Sequence, residues 1–335
     1  MSHAAFSNIP YIAICQMTEG QFHLLKVLRL HASFLTEGTH DPGADDYEVD
    51  PERLERVADS ILKLTRSAGE PDSDPGEADS YFEAVALAGR AKLLVGKLPE
   101  AESLLREALE FGVHGDRPQD QISIAEVKQN LGSALDLQGN EDEATPLFEE
   151  ALDVLQHSDP VPLETVANLS NNLGMIYRNR KQYEEAEQMY LRAVEIFSEL
   201  PDREIEEALV HNNLGTLYFV ADELDGARIR HEKALAMRRR LLPKKDIDIG
   251  QSAFNLAVVC HQMDELEEAE PLYKEATKIL KQAIDDDPEL YEVVMQNYAT
   301  LVDSIGKPRA AAKILTKAAR QLEKAGHTPS WRRKS

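Results

Sequence analysis

A short motif recurs through most of the chain at an almost constant interval. An asparagine, a large apolar or aromatic residue and a small residue follow one another five times, with the small residue at Gly132, Gly174, Gly215, Ala257 and Ala299. The spacings between these small residues are 42, 41, 42 and 42. Each is followed by alanines 12 and 19 residues later, and one more copy fits upstream, with Gly89, Ala101 and Ala108. A fixed period of this length predicts six stacked copies of one structural unit.

Each copy is predicted to form two helices. In the copy from 164 to 200, apolar residues fall at helical spacings on both sides of a short polar turn at 179–182. Such a short turn makes the two helices antiparallel neighbours. Gly174 and Ala186 are expected to let the two backbones approach, and Ala193 to admit a ring from the next copy. Prolines between the copies stop the helices. The sequence therefore predicts an all-α solenoid of antiparallel helix pairs.

The repeats divide the chain into three predicted regions. Residues 81–326 hold the six repeats, and residues 1–80 are expected to form degenerate capping helices at about 21–35 and from Pro51 onward, with Asp50 as the N-cap. Acidic loops at 37–50 and 69–79 accompany them, either as a docking surface or as solvated insertions. Residues 327–335 are predicted to be a basic, disordered tail.

Charge excludes several classes of partner. The chain has 37 basic and 60 acidic residues and a formal net charge of −23, which repels nucleic acid and anionic membrane surfaces. The two cysteines, Cys15 and Cys260, are too few for a disulfide framework. No stretch approaches the 18 apolar residues of a membrane span, and the first residues lack the basic start of a secretion signal. These features predict a protein of the cytoplasm.

The sequence contains no recognisable catalytic constellation. Its ten histidines show no metal-binding spacing, and Gly306-Lys307 lacks the upstream glycine of a phosphate-binding loop. Cys260 stands where other copies have tyrosine, which predicts a small buried apolar residue. Most acidic runs belong to exposed helix faces. We therefore expect no enzyme activity, no metal and no cofactor.

The repeated asparagine is the first candidate binding feature. Helix propensity does not explain its recurrence, because asparagine is a mediocre helix former. Stacked repeats would align these side chains on a concave wall, where a carboxamide can pair with the backbone of an extended peptide. The alternative is that the amides join adjacent first helices. The predicted partner-binding residues are Asn130, Asn172, Asn213, Asn255 and Asn297, with their neighbours Asn168, Asn171, Arg178, Asn212, Phe219, Phe254 and His261.

A local basic stretch is the second candidate. It reverses the sign of the surrounding sequence and falls on the second helix of its copy, hence on the predicted convex side. The alternative is that it pairs with acidic faces of neighbouring copies. Its residues are Arg228, Arg230, Arg238, Arg239, Arg240, Lys244 and Lys245.

The pattern of a small residue, an aromatic residue and Ala-x3-Tyr/Phe-x2-Ala resembles the tetratricopeptide repeat. The 42-residue period, Asn-Asn-Leu-Gly and Tyr-x-Glu-Ala-Glu further resemble the repeats of kinesin light chains. His231 and Leu315 depart from the pattern at a position that asks for an aromatic ring. The long heptad coiled coil of eukaryotic light chains is missing, so the chain is more similar to the short bacterial kinesin light chains.

The resemblance implies a right-handed superhelix and a non-catalytic, protein-binding scaffold. In kinesin light chains the matching asparagines hold cargo peptides, and the bacterial proteins are associated with tubulin-like proteins. A tubulin-like filament or its machinery is therefore the expected partner. The alternative is a signalling or assembly regulator whose groove captures a peptide of an unrelated protein.

Overall fold

The computed structural model describes residues 51–67, 75–112, 118–285 and 287–332. These residues form thirteen α-helices and two short 3-10 turns, and no strand occurs among them. The helices are α1 Pro51–Ser67, α2 Pro75–Leu94, α3 Leu98–Phe111, α4 Pro118–Leu137, α5 Glu141–Gln156, α6 Leu163–Asn179, α7 Tyr183–Glu199, α8 Glu204–Val220, α9 Leu224–Leu241, α10 Ile247–Gln262, α11 Leu266–Leu280, α12 Pro288–Ser304 and α13 Pro308–Lys324.

The chain divides into two compact units, residues 1–169 and 170–335. The first contains α1 to α5 and the start of α6, and the second contains the rest of α6 and α7 to α13. In each unit, helices that follow one another along the chain pack together in pairs. The predicted all-α architecture of helix pairs is confirmed.

One backbone turn reverses the chain in every pair. Gly306 has a φ of 76°, its N–H donates to the Asp303 carbonyl at 2.8 Å, and the Lys307 N–H donates to the Val302 carbonyl at 3.1 Å. This is the arrangement that ends a helix at a left-handed residue. The other five turns place Gly96, Gly139, Lys181, Asp222 and Asp264 in the same conformation. A sharp reversal of this kind lets the second helix return along the first.

The repeated small residue makes room for one large side chain of its own pair. A Cβ added to Gly174 would lie 2.8 Å from the ring of Tyr190, and one added to Gly215 would lie 2.8 Å from the ring of His231. Tyr190 is completely buried. The small residue on the first helix is therefore required because a ring from the second helix lies directly on it.

The two ends of the described chain differ in part from the predictions. Helix α1 begins at Pro51 as predicted, whereas the predicted helix at 21–35 and the loop at 37–50 lie outside the described residues. Helix α2 begins at Pro75, so residues 75–79 of the second predicted loop are helical.

The C-terminal residues pack instead of forming the predicted disordered tail over 327–332. The Ser330 N–H donates to Glu292 Oε1 at 2.8 Å, and His327 Nε2 lies 2.7 Å from Glu292 Oε2. Trp331 packs against the apolar core beside α12 and α13. The buried carboxylate of Glu292 thus holds this segment in place. Residues 333–335 lie outside the described part.

Candidate functional site

Two of the repeated asparagines connect neighbouring first helices. Asn213 Nδ2 on α8 donates to Asn171 Oδ1 on α6 at 2.9 Å. Asn255 Nδ2 on α10 donates to Asn212 Oδ1 on α8, also at 2.9 Å. Each bond links positions one full repeat apart, so the amides form a ladder along the first helices of residues 170–335. This is the arrangement of the alternative interpretation, in which the amides join helices within the wall.

The ladder leaves part of each amide group unused. A carboxamide has two N–H donors and two acceptor sites on its oxygen. Asn213 and Asn255 each spend one donor on the bridge, and both side chains are half-buried, so part of each is accessible from the surface. The bridge fixes the orientation of the group and is compatible with a second hydrogen bond.

Asn297 does not extend the ladder. Its Nδ2 donates to the Val293 carbonyl of its own helix, α12, at 2.9 Å. The position that would accept from it in the preceding repeat is Phe254, which offers no amide oxygen. Asn172 and Arg178 lie half-buried on α6. Asn130 and Asn168 belong to the first unit, where both are half-buried.

The predicted aromatic neighbours contribute to an inter-repeat core. Phe254 lies with its ring centroid 6.1 Å from that of Tyr273, and His261 lies 6.2 Å from the same ring in an edge-on orientation. Tyr298 of the next repeat stacks on Tyr273 at 6.0 Å. Phe254 and His261 thus pack on a buried tyrosine while remaining half-exposed. Phe219 on α8 is half-exposed as well.

Three arginines of the basic stretch pair with acidic residues of adjacent helices. Arg228 on α9 donates to Glu265 and, at 2.7 Å, to Glu268 at the start of the next second helix, α11. Arg239 donates to Glu275 of α11, and Arg240 donates to Glu204 of α8 at 3.0 Å. The pairs with α11, which belongs to the next repeat, correspond to the alternative interpretation of the basic stretch, whereas the Arg240–Glu204 pair lies within one repeat.

Arg238 was predicted to lie on the basic surface, but this prediction is wrong because the residue is buried. Its Nη1 donates to the Asp248 carbonyl at 3.0 Å and to Ser252 Oγ at 2.8 Å, while burial lowers the pKa of its guanidinium. The residues at the equivalent position of the other copies indicate this burial in the sequence. In four of the five other copies the equivalent residue is buried and apolar: Leu155, Phe197, Leu280 and Leu322.

The remaining basic residues are more accessible. Lys244 and Lys245 are exposed in the linker between α9 and α10. Arg230 is half-buried beside Tyr218, whose hydroxyl donates to Glu187. Burial and the Glu187 carboxylate raise the pKa of Tyr218 to about 12.

One group of side chains has the composition of a metal site. The thiol of Cys260 and the carboxylates of Glu265 and Glu268 lie within 4.8 Å of one another. The guanidinium of Arg228 already bonds both carboxylates, and burial raises the pKa of the Cys260 thiol to about 11. A protonated thiol and two carboxylates paired with a cation fit an ion-pair cluster rather than metal ligands. Cys260 is buried, in agreement with its predicted role as a small core residue.

Comparisons with known proteins agree with this geometry. Models of the tetratricopeptide repeat match residues 124–157, 165–240 and 246–324, which together exceed half of the chain. Kinesin light chain-related protein 3 of Arabidopsis thaliana is 25% identical over 199 residues, which cover 59% of this chain and 30% of the relative. Human tetratricopeptide repeat protein 19, a mitochondrial protein, is 23% identical over 254 residues, with 71% of this chain and 64% of the relative covered.

A solved structure is also similar. BtubC (BKLC) from P. vanneervenii is 28% identical, with a TM-score of 0.55, 69% of this chain covered and 91% of that chain covered. This chain spans about a third of the plant relative and just under two thirds of the human one. Within the described residues, no helix has the length and apolar character needed to cross a membrane.

Proposed function

Because this chain belongs to the tetratricopeptide repeat family and its repeats are of the kinesin-light-chain type, we propose that it is a non-catalytic scaffold of a tubulin-like filament or its accessory machinery. Tetratricopeptide repeat proteins bind protein partners, and stacked repeats present extended surfaces for this purpose. The resemblance to bacterial kinesin light chains and the similarity to BtubC support the filament as partner. We also place the protein in the cytoplasm with that partner.

The asparagine ladder is the observation that carries the proposal. Asn213 and Asn255 hold their amides in fixed orientations along consecutive first helices. A preoriented group loses little conformational entropy when it binds. Their unused N–H and C=O functions match the alternating donors and acceptors of an extended peptide backbone. The wall of first helices in residues 170–335 is therefore the proposed docking surface for a peptide of the partner.

The ion pairs of the basic stretch favour the wall of first helices, and not that stretch, as the docking surface. Arg228, Arg239 and Arg240 are already paired with glutamates of adjacent helices, and Arg238 is buried. A docking face made from these arginines would have to break ion pairs that join α9 to its neighbouring helices.

Co-sedimentation with a polymerised bacterial tubulin-like protein tests the partner. We expect the wild-type chain to pellet with the polymer and to remain in the supernatant without it. A chain that stays in the supernatant at every polymer concentration would exclude the filament and favour the alternative, a regulator that captures a peptide of an unrelated protein.

Two matched double variants test the wall. Asn213→Ala/Asn255→Ala removes the donors of both bridges, and Asn171→Ala/Asn212→Ala removes the acceptors of the same two bridges. Both should lower the free energy of unfolding similarly, by about 1 kcal/mol per bridge. The donor variant should also weaken polymer binding at least about tenfold, which is about 1.4 kcal/mol. The acceptor variant should weaken it less, because its two amides remain but lose their fixed orientation. Equal binding losses in the two variants would show that the asparagines serve the fold alone.

A further inference from the structure

A cleft of about 860 Å³ opens between the end of α9, the linker to α10 and the C-terminal half of α11. Gln282, in the 3-10 turn after α11, donates to the Lys245 carbonyl and so ties that turn to the linker. Ile249 and Ile279 lie at the base of the cleft and are almost completely buried. The volume is within the range of about 300–1,000 Å³ that is typical of ligand sites.

The rim of the cleft is strongly basic. Lys244 and Lys245 of the linker and Lys278 and Lys281 from α11 and the turn after it surround the opening, and all four side chains are exposed. Arg239 also lines the cleft, but Glu275 neutralises it. Among the described residues, none of the four lysines has an ion-pair partner.

This cluster brings four unpaired cations together around one opening. Many other cationic side chains of the chain pair with a carboxylate, among them Arg66, Lys92, Arg106, Lys128 and Arg228. Four unpaired lysines around one opening repel one another in a chain of net charge −23. A bound anion would relieve that repulsion, and a cleft lined with charge of one sign raises the local concentration of oppositely charged ligands.

We propose that this cleft binds a short acidic peptide segment whose carboxylates pair with Lys244, Lys278 and Lys281 and whose apolar side chain contacts Ile249 and Ile279. The buried isoleucines at the base favour a ligand that carries an apolar group between its charges. A free phosphate has no such group and is much smaller than the cleft. A nucleic acid would spread its phosphates over the surrounding acidic surface and be repelled there. No residue of the asparagine ladder lines the cleft, so the proposal rests on the scaffold role but not on the ladder or the filament.

Fluorescence anisotropy with labelled peptides tests the proposal on the full chain at low salt. The probe is Glu-Glu-Leu-Glu-Glu, and the comparison peptides are Gln-Gln-Leu-Gln-Gln and Glu-Glu-Gln-Glu-Glu. The cleft variant is Lys244→Gln/Lys278→Gln/Lys281→Gln. The control variant is Lys313→Gln/Lys317→Gln/Lys324→Gln, which removes three exposed lysines of α13 and changes the net charge equally.

We expect the wild-type chain to bind the probe, the cleft variant to bind at least about tenfold more weakly, and the control variant to match the wild type. The glutamine-rich peptide should not bind, and loss of the leucine should weaken binding several-fold. Equal losses in the two variants would assign binding to net charge and overturn the proposal. A probe that the wild type does not bind, or competition by inorganic pyrophosphate at the same concentration as the peptide, would overturn it as well. Testing whether the cleft variant co-sediments with the polymer distinguishes a failure of this proposal from a failure of the filament proposal.

Discussion

At the scale of single residues, one repeat position shows how the fold tolerates an exception. The ring that lies on the small glycine is Phe148 or Tyr190 in two copies, and His231 in a third. His231 is buried, and burial together with the nearby Arg238 lowers the pKa of its imidazole to about 4. The ring therefore packs in its neutral form, as an aromatic residue would.

His231→Phe is expected to make folding less sensitive to acid. A histidine with a pKa near 6.5 when unfolded and near 4 when folded contributes no penalty above pH 6.5 and destabilises the fold progressively as the pH falls towards 4. At about 1.4 kcal/mol per pH unit, this histidine lowers the free energy of unfolding by about 3 kcal/mol near pH 4. Urea titrations between pH 7 and pH 4.5 should show a smaller fall in the free energy of unfolding for the variant. His157→Phe, an exposed histidine, is the control, and equal slopes for all three proteins would contradict a neutral, buried His231.

At the scale of elements, the turns between paired helices are uniform in geometry but not in sequence. The left-handed residue is glycine at Gly96, Gly139 and Gly306, whereas Lys181, Asp222 and Asp264 adopt the same φ with a Cβ. A side chain in this region clashes with its own backbone, at a cost of about 1–2 kcal/mol. The packing of each helix pair imposes the turn, whatever residue occupies it.

Lys181→Gly is therefore expected to stabilise the protein. Relief of the strained conformation should exceed the extra flexibility that glycine brings to the unfolded chain, with a net gain of about 0.5 kcal/mol. Lys181→Ala keeps the strain and should not stabilise, and Gly306→Ala should destabilise by about 1 kcal/mol. Denaturant midpoints measure all three. A glycine variant no more stable than the alanine variant would show that this turn carries no strain.

The repeat period predicted the helix pairs and the small residues between them, because these depend on spacing within a single copy, and Pro51 after Asp50 predicted the start of α1. The asparagine ladder depends on how one repeat is placed against the next. Only the columns of equivalent residues hint at it, since the residue before the repeated asparagine is Asn171 or Asn212 in two copies and Phe254 in the next. Arg238 was misplaced because its charge suggested a surface position, although its column is apolar in the other copies. The lysine cleft combines residues from three elements, which no sequence pattern brings together.

At the scale of the molecule, charge and packing both act between neighbouring repeats. Arg228 and Arg239 of α9 pair with Glu265 and Glu275 of the next repeat, whereas Arg240 pairs with Glu204 of its own repeat. Exposed pairs of this kind contribute at most about 1 kcal/mol each. The buried alanines contribute more, since they set the distance between helices. Stability in such a stack is a sum of contributions from each repeat and its nearest neighbours.

The same substitution at equivalent positions of α7 and α13 tests this description. Ala193 and Ala318 are both completely buried, but α7 has a helix on either side in the repeat stack, whereas α13 is the last helix. Replacement by leucine overpacks each site by about 1–3 kcal/mol. Ala193→Leu should lower the denaturant midpoint of residues 170–335 as a whole, because the defect separates repeats that stabilise one another. Ala318→Leu should instead release α12 and α13 first, seen as faster amide hydrogen exchange confined to those two helices.

The exposed Ala312→Leu on α13 is the control for a change of residue without overpacking. Equal midpoints and equal exchange patterns for the Ala193 and Ala318 variants would mean that residues 170–335 unfold as one globular core, and the nearest-neighbour description of this stack would then be wrong.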